Sequence, residues 1–283
     1  MLEETLKLNK KLDLALCICS SNSYKDIWDI FIFFWKKNFS YINIPIYILT
    51  SEKIENENSF YEVIYPKNLS SDDPWSNRMY ECLKQINHEN IITTTEDAIV
   101  NKKINFEKLY LSIKHFSEKK LDYLKLSPYY PNKSNENLNK FVYHHDWELH
   151  RVNITKALWK KNSLLKLLNN GESFKEFDMF ASIRAKELKM KIKHCDFTTI
   201  PYLEIINGGK FNFLSKKILR NYSTSKQLTR SYSSVLEDFI MRYNYLKLYI
   251  YSILPIYLKK ILIDLDLIGY KNKYKRIPKK KFN

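Results

Sequence analysis

Apolar and polar positions follow two alternating periods along the first half of the chain. Leu12 to Cys19 (LDLALCIC) is an apolar run of strand length. Asp26 to Lys37 (DIWDIFIFFWKK) repeats its apolar residues at helical spacing, and Ile44 to Thr50 (IPIYILT) returns to strand character. Tyr61 to Tyr65 predicts a third strand. Trp75 to Ile86 predicts a helix introduced by SSDDP, and Ile91 to Thr95 predicts a fourth, β-branched strand. Strands separated by helices imply a parallel sheet covered on both faces, an α/β class whose ligands bind at the strand C-termini.

The pattern continues with a helix over Asn105 to Lys119, a strand over Asp122 to Leu126, and a polar loop, Pro128 to Asn139, of the kind that closes over substrates. Asn153 to Trp159 leads into a helix from Lys161 to Leu168, closed by Asn169, Asn170 and Gly171. Ser173 reads as an N-cap with Glu176 as its capping-box partner, and Asp178 lies about a turn and a half into that helix. Met190 to His194 is a strand, and Gly208 with Gly209 makes a tight turn. Val235 to Tyr251 and Ile256 to Leu267 have helical spacing interrupted by Pro255. Both are too short and too charged to span a bilayer, which needs about 20 apolar residues.

Candidate chemistry collects at the predicted strand ends. The strand that closes at Thr95 delivers two adjacent carboxylates, Glu96 and Asp97. Hard oxygen ligands there suit Mg²⁺ or Mn²⁺, and the same acids could simply cap a following helix. Ser20, Ser21 and Asn22 follow the first strand and Thr50 and Ser51 the second. All can hydrogen-bond a base or ribose, and Tyr24 offers a ring for stacking. Asp26 either caps the first helix or reaches the ligand. Trp75 either packs on a base or anchors its helix, and Arg78 either meets a phosphate or lies in solvent. If His144 to His150 is extended, then His144, Asp146, Glu148 and His150 share one face, which suits a second metal cluster or a solvated strand.

Composition narrows the field. A chain of 283 residues that is 45% hydrophobic fits one large domain, or a domain with an appendage, ordered except at its tail. Only four glycines are present, so neither GxGxxG nor a Walker loop can be written, and dehydrogenase and P-loop readings fall away. Cys17, Cys19, Cys82 and Cys195 form no CxxC pair or disulfide pattern. Cys17 and Cys19 alternate in their strand, with one expected to face the core. Met1 to Lys11 lacks the apolar stretch of an export signal, so a reducing cytoplasm is expected. The formal charge of +16 calls for an anionic partner: nucleic acid, nucleotide or membrane surface. Much of that charge sits in Lys271, Lys273, Lys275, Arg276, Lys279, Lys280 and Lys281. A purely nucleic-acid-binding protein would explain that tail but not the ordered acids.

The succession ICSSNSYKDIW, PIYILTSE, DPWSNRMYECLKQINHENIITTTEDAIV, HRVNITKALWKKNSLLKLL, GESFKEFD and IINGGKF resembles a family of bacterial glycosyltransferases of the GT-A fold that build lipopolysaccharide, capsule and cell-surface glycans. The resemblance spans about residues 12 to 212. It implies a Rossmann-like, mixed but mainly parallel sheet flanked by helices over 1–212, and a helical C-terminal region with a basic tail over 213–283. It also implies a nucleotide-sugar donor, a glycan or lipid-linked glycan acceptor, and no nucleic-acid partner. Glu96 and Asp97 then resemble the family's metal-binding acids, with Asp97 the direct ligand of Mg²⁺ or Mn²⁺. Asp178 resembles the catalytic base of inverting enzymes, with Glu176 the second choice, and Ser20, Ser21, Asn22, Tyr24, Thr50, Ser51, Trp75 and Arg78 line the nucleotide site.

Three positions depart from the family pattern: Glu96 where Asp is usual, Lys175 where Trp is usual, and Asn22 in place of an acid. A degenerate transferase that binds its donor without turnover is therefore the second reading. The C-terminal helices are expected to pack on the catalytic unit, pair between subunits as a homo-oligomer, or lie on the inner face of the cytoplasmic membrane, with the tail drawn to anionic lipid.

Overall fold

Six consecutive buried residues, Leu14–Cys19, form β1, and their alternation divides the whole molecule. Leu14, Leu16 and Ile18 enter one core, while Ala15, Cys17 and Cys19 enter the other. Cys17 and Cys19 therefore share one face, where the sequence reading expected only one of them in a core. Both faces of this strand are covered by helices, so two residues apart means the same side and both sides are buried. The computed structural model describes residues 13–39, 44–56, 58–128, 141–142, 151–223, 228–240, 254, 255, 257, 258 and 261.

The elements follow in order: β1, then α1 (Lys25–Phe39), β2 (Ile46–Leu49), β3 (Glu62–Ile64), α2 (Trp75–Lys84), β4 (Asn90–Thr95), β5 (Ala98–Val100), α3 (Phe106–Glu118) and β6 (Tyr123–Lys125). After these come β7 (Phe141–Val142), β8 (Ala157–Lys160), α4 (Lys161–Leu167), α5 (Phe174–Glu187), β9 (Ile192–Cys195), β10 (Tyr202–Glu204), β11 (Ile206–Asn207), β12 (Lys210–Phe211) and α6 (Ser215–Ser223). Eight strands form one sheet in the order β3-β2-β1-β4-β8-β6-β9-β7. The first four run parallel, and β8 is antiparallel to both its neighbours β4 and β6. This is a mixed, mainly parallel, Rossmann-like sheet flanked by helices.

α1 and α3 cover one face, with Trp28, Phe31 and Phe116 fully buried against Leu16 and Ile92. α2, α4 and α5 cover the other, with Met79, Leu164 and Phe177 against Cys17, Tyr123 and Trp159. Each such side chain withdrawn from water contributes roughly 1.5–3 kcal/mol, which is why the apolar spacing of these helices outweighs the β-branched and aromatic content of α1. α5 begins as its sequence demands. Ser173 Oγ accepts from Glu176 N, and Glu176 Oε2 accepts from Ser173 N at 2.8 Å, a complete capping box.

Two local expectations change. Glu96 and Asp97 cap no helix, because the chain turns directly from β4 into β5, which pairs with β10. The stretch before Lys161 is itself a sheet strand, β8, rather than a lead-in, and α4 ends at Leu167 with Leu168 already extended (φ −62°, ψ 141°). Gly171 (φ 87°) completes the turn into Glu172. Gly208 (φ 54°) and Gly209 (φ 80°) make the tight turn joining β11 to β12, a backbone that side-chain-bearing residues seldom adopt.

Part of the chain just beyond 212 packs back on this body. Phe211 N donates to the Ser231 carbonyl at 2.9 Å and Ser233 N to the Phe211 carbonyl at 2.8 Å, so residues 231–233 run beside β12. A helix starts at 235, and its Val235, Leu236, Phe239 and Ile240 are exposed. Among the described residues no helix is long and apolar enough to cross a membrane. The polar loop near 128–139, the His144–His150 stretch and the basic tail fall essentially outside the described residues.

Candidate active site

Strand order reverses beside β1: β2 and β3 lie on one side of it and β4 on the other. Chains leaving β1 and β4 diverge at such a point and open a crevice outside the strand C-termini. Ser20 is the first residue after β1 and Glu96 the first after β4, and the register pairs Cys19 with Thr95 directly below them. The crevice floor is therefore set by backbone pairing.

On the β1–β2 side, Asn22 ties two loops together. Its Oδ1 accepts from Thr50 Oγ1, from Ser51 Oγ at 3.2 Å and from Glu52 N at 3.3 Å, while its Nδ2 donates to Glu52 Oε2 at 2.7 Å. Thr50 and Ser51 are buried by this clasp. Ser21 Oγ pairs with Ser23 Oγ at 2.8 Å, and Ser20 Oγ accepts from Trp28 Nε1 at 2.7 Å. Ser20, Thr50, Trp75 and Arg78 line one small pocket of about 20 Å³. Trp75 packs edge-on against Phe174 and tilted against Phe177, with centroids 5.2 and 5.3 Å away, which joins α2 to α5. Arg78 donates to the Asp73 and Ser71 carbonyls and so closes the turn before α2.

Glu96 is 6% exposed, and its Oε2 has no hydrogen-bond partner. Burial pushes its carboxyl up to about 8, against the opposing pull of a Ser20 hydrogen bond and the Arg230 charge. Burial also raises the neighbouring Asp97. A hydrogen bond from Thr95 and the charge of Lys156 oppose that rise, while Glu204 adds to it. The two acids thus look into different surroundings: Glu96 toward Ser20, Tyr24 and Arg230, Asp97 toward Thr95, Glu204 and Lys156.

Asp178 lies on α5, half-buried, and its charge acts on Tyr123 and Lys125 of β6. Lys125 is brought down to about 8 by burial and by Lys156, and is supported by Asp178 and Glu204. Lys156 acts on both Asp97 and Lys125, and Asp178 acts on Lys125. Glu176 is committed to the capping box, and the two Ser173 hydrogen bonds lower its pKa. The fold gives Glu176 to the helix start and leaves Asp178 acting on Tyr123 and Lys125.

Four further charged residues shape the site. Lys125 ends β6, and Lys156 holds a left-handed backbone (φ 58°) just before β8 and bonds Glu204 at 3.3 Å. Arg230 donates to both Asp26 carboxylate oxygens at 2.8 Å, to the Gly209 carbonyl at 3.1 Å and to the Ser23 carbonyl. Its guanidinium lies 4.4 Å from the Tyr24 ring centroid. One face of the ring expected to stack on a base is thus already taken by a cation. Asp26, in the first turn of α1, is the anchor of this clasp.

The acids suit a divalent ion in one specific sense. Glu96 offers a buried oxygen with no partner and Asp97 a second carboxylate, while among the described residues no group of three metal-ligating side chains converges. Two carboxylates without a full protein cage match Mg²⁺ or Mn²⁺ chemistry, in which substrate phosphates and water complete the shell.

No protein-family model matches the chain, and no curated protein is similar to it. Among solved structures, the chain is similar to glucosyl-3-phosphoglycerate synthase from Mycobacterium tuberculosis in complex with Mn²⁺ and uridine-diphosphate-glucose, at 8% identity and a TM-score of 0.47, covering 73% of this chain and 76% of that one. The same synthase in complex with phosphoglyceric acid gives 8% identity and a TM-score of 0.47, over 73% and 77%.

Proposed function

We propose that this chain is a glycosyltransferase that moves a sugar from a nucleotide-sugar donor to a glycan or lipid-linked glycan acceptor, with inversion and with help from Mg²⁺ or Mn²⁺. The observation that carries the reading is the crevice between β1 and β4, where a buried Glu96 oxygen without a hydrogen-bond partner follows β4 beside Ser20 at the end of β1, with Asp97 next to it in the chain. An acid that costs stability when ionised, placed at a switch point, is better explained by a ligand than by packing.

In this reading Ser20, Ser21, Asn22, Thr50 and Ser51 grip the nucleoside, and Tyr24, Trp75 and Arg78 border it. Asp97 and Glu96 would hold the divalent ion, whose charge would neutralise a departing diphosphate. Asp178 takes the proton of an acceptor hydroxyl as its oxygen bonds to the anomeric carbon. The bond from that carbon to the phosphate oxygen breaks at the same time, releasing a nucleoside diphosphate. Lys125 holds Asp178 in a cationic setting. The family reading places such an enzyme in the cytoplasm, at the inner face of the membrane, and the exposed Val235, Leu236, Phe239 and Ile240 give the C-terminal region an apolar face for it.

Thermal shift with uridine, guanosine, cytidine and adenosine diphosphates and their sugars, with and without Mn²⁺, tests the assignment. One nucleotide should stabilise the protein only when the ion is present. A chain indifferent to every nucleotide in the presence of Mn²⁺ is not a transferase.

A further inference from the structure

A cavity of about 390 Å³ lies between β10, the β11–β12 hairpin and the chain beyond 212. That volume is within the ordinary range for a small-molecule site. Its wall is tied to the candidate chemistry: Ile205 N donates to the Asp97 carbonyl at 2.9 Å, and Lys156 and Glu204, both lining it, are charges that act on Asp97 and Lys125.

The lining has a definite chemistry. Most of its polar groups are fixed by the protein. Asn212 Nδ2 donates to the Glu204 carbonyl at 2.6 Å, Ser215 Oγ to the Asn212 carbonyl at 2.7 Å, and Asp238 accepts from Ser233 Oγ and Phe213 N. Two lining groups are exceptions: the buried Tyr202 hydroxyl has no hydrogen-bond partner, and the Asn207 side-chain amide, with no partner among the described residues, offers both a donor and an acceptor. Leu214, also on the wall, is 56% exposed. An amide and carboxylates beside an apolar wall suit a ring that carries hydroxyls at its rim and C–H groups on its face. The charges decide between ligand classes. Lys156 is spent on Glu204, which leaves Asp238 without an opposing cation among the described lining residues, so a phosphate or carboxylate would be repelled.

We propose that this cavity is the acceptor site, that it takes a neutral, hydroxyl-rich sugar in preference to a phosphorylated or carboxylated acceptor, and that Asn207 binds that sugar directly. The assignment rests on the transferase reading of Asp97 and Asp178.

The test uses the full chain and saturation-transfer NMR with methyl glycosides of glucose, galactose, mannose and N-acetylglucosamine, alongside glucose 6-phosphate and 3-phosphoglycerate. At least one neutral glycoside should receive saturation and the two phosphorylated probes none. Asn207→Ala and Asn207→Leu should each weaken that binding roughly tenfold, the worth of about one hydrogen bond, without lowering the melting temperature. Binding confined to the phosphorylated probes, no glycoside binding, or glycoside binding indifferent to both substitutions overturns the assignment. Nucleoside diphosphate binding with Mn²⁺ is measured on the same samples. If wild type binds it while the glycoside result fails, only the acceptor assignment falls; if wild type binds no nucleoside diphosphate, the transferase reading beneath it falls.

Discussion

Arg230 and Asp26, 204 residues apart in sequence, form a two-pronged ion pair whose Nε and Nη2 contacts are both 2.8 Å. The pair is one stitch between the described residues beyond 212 and the start of α1. Removing one partner leaves a part-buried charge unsatisfied, so Arg230→Met or Asp26→Asn should each lower unfolding free energy by roughly 1–3 kcal/mol in urea titrations. Burial of Asp26 works against its ionisation, but the bonds from Arg230 and Thr229 prevail and hold its pKa below the ordinary value of 3.8. The pair's contribution is therefore complete above pH 3.8 and is lost as pH falls through the lowered pKa. Stability curves of wild type and Asp26→Asn should meet in strong acid and separate above it; parallel curves would contradict the pairing.

Asp178 and Glu176, two residues apart, should behave differently. Asp178→Asn removes the proposed proton acceptor and should slow transfer by about 10²- to 10⁴-fold with the fold intact. Glu176→Ala dismantles the capping box and should cost on the order of 1 kcal/mol of stability, with a far smaller effect on turnover. Steady-state rates beside melting curves for both variants check this, and the opposite pattern would exchange their roles.

Glu96→Gln should stabilise the ligand-free protein. The folded pKa of Glu96 is about 8 against an ordinary 4.5, so above pH 4.5 the unfolded chain sheds a proton that the folded one keeps, and wild type loses stability progressively until about pH 8. Glutamine mimics the neutral acid and escapes that loss. The melting-temperature advantage of Glu96→Gln should widen between those pH values and then level off. The same variant, and Asp97→Ala more severely, should lose Mn²⁺-dependent nucleotide binding in the thermal-shift assay.

Glu172 and Arg184 form a buried bidentate pair, both contacts 2.7 Å, that ties the loop before α5 to its last turn. Arg184 Nε also donates to the Leu167 carbonyl at 2.8 Å, and Glu172 N to Ser76 Oγ at 2.9 Å. Glu172→Ala strands a buried guanidinium and should cost roughly 3–5 kcal/mol, whereas Glu172→Met with Arg184→Met should recover much of that loss. Equal destabilisation by the single and double changes would show that the loss does not come from a stranded guanidinium.

What was legible in the sequence was local. The six residues of β1, the amphipathic length of α1, the capping box at Ser173 and the glycine pair at 208–209 each declare themselves within a few positions, and the structure has them all. The placement of Glu96 at a strand end was legible for the same reason. β8 was not, because four residues inserted antiparallel between β4 and β6 carry no period of their own and owe their form to partners far along the chain. Lys125 and Lys156 looked like ordinary lysines in a lysine-rich chain until β8 set their neighbourhood. Arg230 gave no signal at all, since its meaning lies in Asp26, Ser23 and Gly209, which only tertiary folding assembles.

The Gly209 carbonyl, Ser23 carbonyl and Asp26 all wait for one side chain made late in synthesis. During translation the sheet and its helices can assemble while the crevice stays open along the Tyr24 side, and that border closes only after residue 230 has cleared the ribosome. Nascent chains stalled short of that point should hold a finished scaffold around an unfinished mouth.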